Sequence, residues 1–292
     1  MKLVHSLWSK PLLATTDPVE RNKKLIVTLW CYASSVAYAK RHKLPIRLYA
    51  DEAGKQLLSF LPYDEILPLT VPEFVPTSFW AAGKFSAYME MKPGDLHIDG
   101  DVFIQEAGAA SLLREACKKY DVVVQCIENA GNCSSEAYDL VNNLLNAYGI
   151  TYNSNAFEPF RGAFNTGVIG FNDMELRDAY VRSYFRTIEQ VADHKGLTSL
   201  LKATQSVPDV VLEQQKLFEI CSEKKVFALL GSGFTSVEYS RVIGYMHILA
   251  DAKWENLDKI ISQLSMVSPK LFCMTADQVN RHLFQINRNN ER

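Results

Sequence analysis

The chain has little excess charge of either sign: 31 Lys and Arg stand against 33 Asp and Glu, a net charge of −2. Without a general basic field, nucleic-acid binding is not expected. No apolar run approaches the ~18–20 residues that a membrane helix needs. The opening Met1 to Lys10 has a basic start but too short an apolar core for a signal peptide. The six cysteines, at 31, 117, 126, 133, 221 and 273, contain no CxxC pair. Zinc ribbons and thioredoxin-like sites are therefore not expected. Buried free thiols in a reduced, cytoplasmic protein fit better. Linkers, repeats and low-complexity tracts are also missing, which points to one domain over residues 1–292. What is present is ordinary: 48% hydrophobic and 22% charged residues in 292. That is enough for a substantial core and too apolar for long disorder.

Strand and helix signals alternate through the first half. Residues 2–7 read as a buried strand. Asp17-Pro18-Val19-Glu20 reads as a helix start, with Asp17 as cap, Pro18 at the first position and Glu20 closing a capping box. Leu25, Leu29, Trp30, Ala33, Val36 and Ala37 follow at helical spacing. Strands are expected at 45–50, 65–69, 96–99, 102–104 and 121–126, with helices at 52–60, 78–90 and 107–119. Such alternation implies βαβ units, a mostly parallel sheet with helices on both faces, and a ligand at the carboxyl ends of the strands. In the second half, residues 164–171 read as a strand, and shorter strands are expected near 225–230 and 242–248. Helices are expected at 174–193, 208–221, 255–265 and 275–288. Thr275 and Gln278 have capping-box spacing for the last helix, and the tail from Asn287 is expected to fray.

Four segments carry candidate chemistry. In His97-Ile98-Asp99-Gly100-Asp101, two carboxylates follow an apolar strand piece, and at strand period they point to the same side. Two acidic oxygens at a strand end suit a hard divalent cation such as Mg²⁺ or Mn²⁺. An Asp-Gly-Asp surface turn has the same sequence, but the position after a βαβ series favours a site. In Phe164-Asn165-Thr166-Gly167-Val168, polar residues interrupt an apolar strand. Asn165 can offer its amide to a hydroxyl and Gly167 can admit a ligand, yet a β-bulge looks the same. His247 sits in an apolar strand, six residues before Lys253. Imidazole can complete a metal shell and Lys253 can neutralise phosphate, although a strand histidine is more often a hydrogen-bonded core residue. Glu213-Gln214 on a helix can bond sugar hydroxyls or form a solvated face.

In this order the segments resemble GT-A nucleotide-sugar glycosyltransferases, in particular the retaining family 8 with its glycogenin-like and bacterial galactosyltransferase-like enzymes. Asp99-Gly100-Asp101 matches the DxD motif, and Asn165-Thr166-Gly167 the Asn-x-Gly strand. Glu213-Gln214 matches the acidic-Gln pair, and His247 through Lys253-Trp254 the HxxGxxKPW segment. Ala250 replaces the glycine, the proline before Trp254 is missing, and Glu213 replaces the usual aspartate.

The resemblance spans roughly residues 1–255. It implies an α/β, GT-A-like domain with a Rossmann-like N-terminal half. Residues 1–128 would hold the nucleotide, 129–255 the donor sugar and acceptor, and 256–292 would be C-terminal helices. It implies that Asp99, Asp101 and His247 bind Mn²⁺ or Mg²⁺, which bridges the phosphates of a UDP-sugar or similar donor. Lys253 would bond the diphosphate, with Asn165, Gly167 and Gln214 around the donor sugar and acceptor. The first strand shows no signature for the base; Ser6 and Trp8 at its end are the candidates, and Lys84 approaches the donor.

The expected reaction is transfer of a sugar to an acceptor hydroxyl with retention; the acceptor would be a saccharide, lipid-linked or protein. The rivals are a nucleotide-sugar-binding protein without turnover and a sugar nucleotidyltransferase. The latter is disfavoured because residues 6–12 contain no glycine.

Overall fold

The computed structural model describes residues 1–129, 135–150, 161–203, 207–232, 237–249 and 252–290. Among the described residues, nine strands run in chain order: β1 Leu3–Leu7, β2 Ile46–Ala50, β3 Glu65–Pro68, β4 Leu96–Ile98, β5 Val102–Ile104, β6 Val122–Glu128, β7 Ala163–Phe171, β8 Val226–Ala228 and β9 Tyr245–His247. Seven form one sheet in the order β3-β2-β1-β4-β7-β6-β8. β7 is antiparallel to both neighbours and the other pairings are parallel. The architecture is mixed α/β with a mostly parallel sheet, as the alternating pattern predicts. β5 and β9 form a separate antiparallel pair.

Strand alternation sorts the core into two layers. Leu3 and Leu7 of β1, Ile46 and Leu48 of β2 and Leu96 and Ile98 of β4 join the layer under the helix Pro18–Arg41 and the C-terminal helices. Val4 and Tyr49 join the opposite layer, with the helices Ala82–Glu90 and Met174–Ala192. The helix Pro18–Arg41 starts as expected at Asp17, whose Oδ1 accepts from the Val19 N–H at 2.9 Å. Glu20 lies 3.7 Å from Lys24 on the helix surface. The long central strands are buried, so their ends deliver side chains to a fixed place.

Several local expectations need correction. Helices also occupy Ser135–Ala147 and Lys195–Ala203, where the sequence reading marks none. The last helix runs Pro269–Asn290, so it starts before Thr275 and remains helical past Asn287. Thr275 is not a cap: its Oγ1 donates to the Leu271 carbonyl at 2.7 Å, inside the helix. The stretch expected as one helix over 208–221 contains a turn of π-helix at Val211–Gln215. Cys31, Cys117, Cys126 and Cys221 are buried free thiols, whereas Cys273 is exposed; Cys133 lies outside the described residues. Among the described residues, no helix is long and apolar enough to cross a membrane.

Candidate functional site

Asp99 and Asp101 come together through a turn, not through strand alternation. The chain leaves β4 at Ile98, turns, and re-enters β5 at Val102. The Val102 N–H closes the turn on the Asp99 carbonyl at 3.0 Å, and the Asp99 N–H donates to the Gly167 carbonyl at 2.9 Å. Gly100 is required at the apex for space. A Cβ there would lie 2.1 Å from the Tyr32 ring, whose hydroxyl donates to the Ser6 carbonyl at 2.7 Å.

The β5–β9 pairing supplies the third member. Val102 faces His247 across this ladder, and the Ile248 N–H donates to the Asp101 carbonyl at 3.2 Å. One ligand atom from each of Asp99, Asp101 and His247 then lies within 4.8 Å of the others. His247 Nε2 is 3.4 Å from Asp101 Oδ1. Two carboxylate oxygens and an imidazole nitrogen, partly buried and mutually close, fit a divalent first-row ion or Mg²⁺.

Two lysines balance the carboxylates. The Lys84 ammonium lies 2.9 Å from both Asp99 oxygens and 3.2 Å from Glu213 Oε1. The Lys253 ammonium lies 2.5 Å from Asp101 Oδ2. Burial pushes the Asp99 carboxyl up to about 6, against the pull of Lys84 and with some help from Asp101. Burial would raise Asp101 as well, but Lys253 and His247 outweigh it and hold that carboxyl well below the usual range. For Lys84, burial favours the neutral amine, and the anions of Asp99 and Glu213 reverse this.

The candidate site residues line one cleft of about 770 Å³: Ser6, Trp8, Lys84, Asp99 and Asp101 come from the N-terminal half of the chain, and Asn165, Gly167, Gln214, His247 and Lys253 from the C-terminal half. Ala250 and Asp251 lie outside the described residues. Ser6 Oγ is 2.9 Å from His97 Nε2. Trp8 packs so closely on Gly83 that a Cβ there would lie 2.7 Å from its own Cβ.

Asn165 has both ends of its amide engaged. The NH₂ donates to Glu128 at 2.9 Å, and Oδ1 accepts from the Gly167 N–H at 3.1 Å. The β6–β7 register also slips between Val124 and Cys126, so this segment is both a bulge and a cleft wall. Gln214 Oε1 accepts from the Tyr138 hydroxyl at 3.1 Å. Glu213 does not form a solvated helix face. It is 1% exposed, and its carboxylate accepts from Lys84 and from Tyr88 at 3.0 Å.

Other cleft-forming contacts carry weaker sequence signals. Gln125 Oε1 lies 2.7 Å from His247 Nδ1 and accepts from the Tyr245 hydroxyl at 2.6 Å. Its mark in the sequence is a lone amide inside the strand Val122–Glu128. Trp80 and Trp254 line the cleft, with Lys84 5.1 Å and Lys23 5.2 Å from the respective ring centres.

A family model described as "Family of unknown function (DUF6734)" matches residues 1–275. No curated protein matches the sequence. Among solved structures, similarity is found to the galactosyltransferase LgtC in complex with donor and acceptor sugar analogs. That match has 11% identity and a TM-score of 0.43, and covers 92% of this chain and 96% of that one. Mouse xyloside xylosyltransferase 1, apo form, is similar at 11% identity and a TM-score of 0.35, covering 75% of this chain and 80% of its own.

Proposed function

The chain belongs to the DUF6734 family, and we propose that it is a metal-dependent glycosyltransferase. In this reading it moves a sugar from a nucleotide-diphosphate donor, with UDP favoured, to an acceptor hydroxyl with retention. The observation that carries the reading is the convergence of Asp99, Asp101 and His247 within 4.8 Å, beside the Lys253 ammonium and in one cleft. The cleft volume of about 770 Å³ falls within the range of small-molecule sites.

Transfer breaks the bond between the anomeric carbon and the diphosphate oxygen and forms one to the acceptor oxygen. The acceptor hydroxyl gives up its proton, which the departing diphosphate takes. Positive charge builds on the sugar, as in glycosidases, and negative charge on the departing diphosphate. Mn²⁺ or Mg²⁺ on Asp99, Asp101 and His247 would supply Lewis-acid stabilisation of that negative charge. Lys253, on the same side, would hold the diphosphate oxygens by charge-assisted hydrogen bonds. Lys84 is enclosed by Asp99 and Glu213, so its part is to fix the Asp99 carboxylate and to add positive potential near the donor. Gln214 and Asn165 would bond the donor sugar and acceptor, with Gly167 beside them. Ser6 and Trp8 would border the base.

A nucleotide-sugar-binding protein without turnover is the second reading. It is favoured by Asn165, whose amide is engaged at both ends by Glu128 and Gly167. One experiment separates the two. Thermal shifts are recorded with nucleotide diphosphates and nucleotide-sugars, with and without Mn²⁺, and release of free nucleotide is measured in parallel. Stabilisation that needs Mn²⁺, with nucleotide release, is the expected result. Stabilisation without release selects the binding protein. No shift with any nucleotide overturns both.

A further inference from the structure

Gln125 is a buried polar residue in an apolar strand, 4% exposed, and such a group needs its hydrogen bonds met inside the protein. Two groups reach its side-chain oxygen. The Tyr245 hydroxyl lies at 2.6 Å and His247 Nδ1 at 2.7 Å. Tyr245 and His247 are two apart on β9, so they point the same way and reach one acceptor together.

The surroundings are shaped around this contact. The β6–β7 register slips at the position of Gln125. Gly167 stands opposite, and a Cβ there would lie 2.5 Å from Gln125 Oε1 and 2.5 Å from His247 Nδ1. A methyl group at residue 167 would therefore fall on the hydrogen bond itself. Gly167 is needed here for the His247–Gln125 contact, whatever it also offers to a donor.

An amide oxygen can only accept, so the nitrogen that bonds it must carry the proton. We propose that Gln125 is the positioning residue of the metal centre, holding His247 as the Nδ1–H tautomer with the Nε2 lone pair turned toward Asp99 and Asp101. The proposal rests on the metal-site reading above. It assigns the liganding atom: Nε2, 3.4 Å from Asp101 Oδ1. The lone pair and that oxygen then face each other as two acceptors, an arrangement that a cation satisfies. Tyr245 serves Gln125 in turn, turning its oxygen toward the imidazole. Outer partners of this kind orient metal-binding histidines, and their loss typically weakens metal binding by about 10–100-fold.

The test uses the whole chain labelled with ¹⁵N-histidine. Long-range proton–nitrogen correlation without metal reads the His247 tautomer, and calorimetry reads Mn²⁺ affinity. Native protein is expected to show Nδ1–H. Gln125→Met keeps the length and removes the acceptor; it is expected to shift His247 toward Nε2–H and to weaken Mn²⁺ binding by about 10–100-fold. Gln125→Glu keeps the acceptor and is expected to retain Nδ1–H and bind Mn²⁺ more tightly than native. If Gln125→Met does not fold, Gln125→Glu decides alone, and unchanged affinity there overturns the proposal. A native Nε2–H tautomer, or Gln125→Met binding Mn²⁺ like native, overturns the Gln125 assignment and leaves the metal site standing. No Mn²⁺ binding by native protein overturns the metal-site reading, and the ion-directed role of Gln125 with it.

Discussion

Lys84 and Glu213 form a 3.2 Å ion pair inside the cleft wall, although 129 residues separate them in sequence. The pair joins the helix Ala82–Glu90 to the π-helical turn Val211–Gln215. Lys84 also holds Asp99, so one ammonium fixes two carboxylates that would otherwise repel. Glu213 is 1% exposed and cannot turn to water. Lys84→Met therefore leaves Glu213 and Asp99 without their shared cation, and we expect a loss of about 3–5 kcal/mol of stability. Adding Glu213→Gln should recover much of that loss. Urea unfolding of the single and double variants measures this coupling; simply additive costs would show that the pair is not linked.

Asp101→Asn tests the metal centre with less risk to the fold. The side chain lies in a turn, and its cation partner Lys253 keeps 31% exposure, so the freed ammonium can reach solvent. We expect Mn²⁺ binding to be lost, while the melting temperature moves by only a few degrees. Calorimetry and a thermal melt on the same samples check both halves. Retained Mn²⁺ affinity would remove Asp101 from the ligand set.

The two acidic residues and His247 are legible in the sequence because each is a polar residue inside or beside an apolar strand. The alternation of strands and helices is legible for the same local reason. What no local pattern reveals is the ladder that pairs Val102 with His247, because that contact depends on pairing far along the chain. The reversal of β7 is hidden for the same reason. Lys84 and Glu213 look like surface charges on their own helices until the two helices pack. The helix Ser135–Ala147 is a different case: Tyr138, Val141 and Leu145 are buried at helical spacing, so its signal is present in the sequence.

Gly100→Ala separates the acids from the backbone that presents them. The added methyl group would lie 2.1 Å from the Tyr32 ring. That ring is tied at its far end by the hydroxyl bond to Ser6, so it cannot simply swing away. Either the ring or the turn must move, at a cost of about 1–3 kcal/mol. Displacing the turn would also misplace both carboxylates. The expected result is weaker Mn²⁺ binding with Asp99 and Asp101 still present. Native-like affinity in this variant would mean that the turn tolerates a side chain.

Asp209 supplies a pH test away from the metal ligands. It is 1% exposed, accepting from the Ala81 N–H at 2.9 Å and the Tyr184 hydroxyl at 2.7 Å. Burial pushes its carboxyl up to about 7, more than those two hydrogen bonds pull it down. The folded protein therefore keeps this proton to higher pH than the unfolded chain, whose carboxyl titrates near ~3.9. The stability contributed by protonated Asp209 is therefore complete below about pH 4 and is lost as pH rises through about 7. Asp209→Asn removes the titration and keeps an acceptor oxygen. Urea unfolding at about pH 5.5 and about pH 8 should show native protein losing more stability than the variant as the pH rises. Parallel losses in the two proteins would mean that Asp209 is already ionised in the folded chain, with Ala81 and Tyr184 bearing the charge.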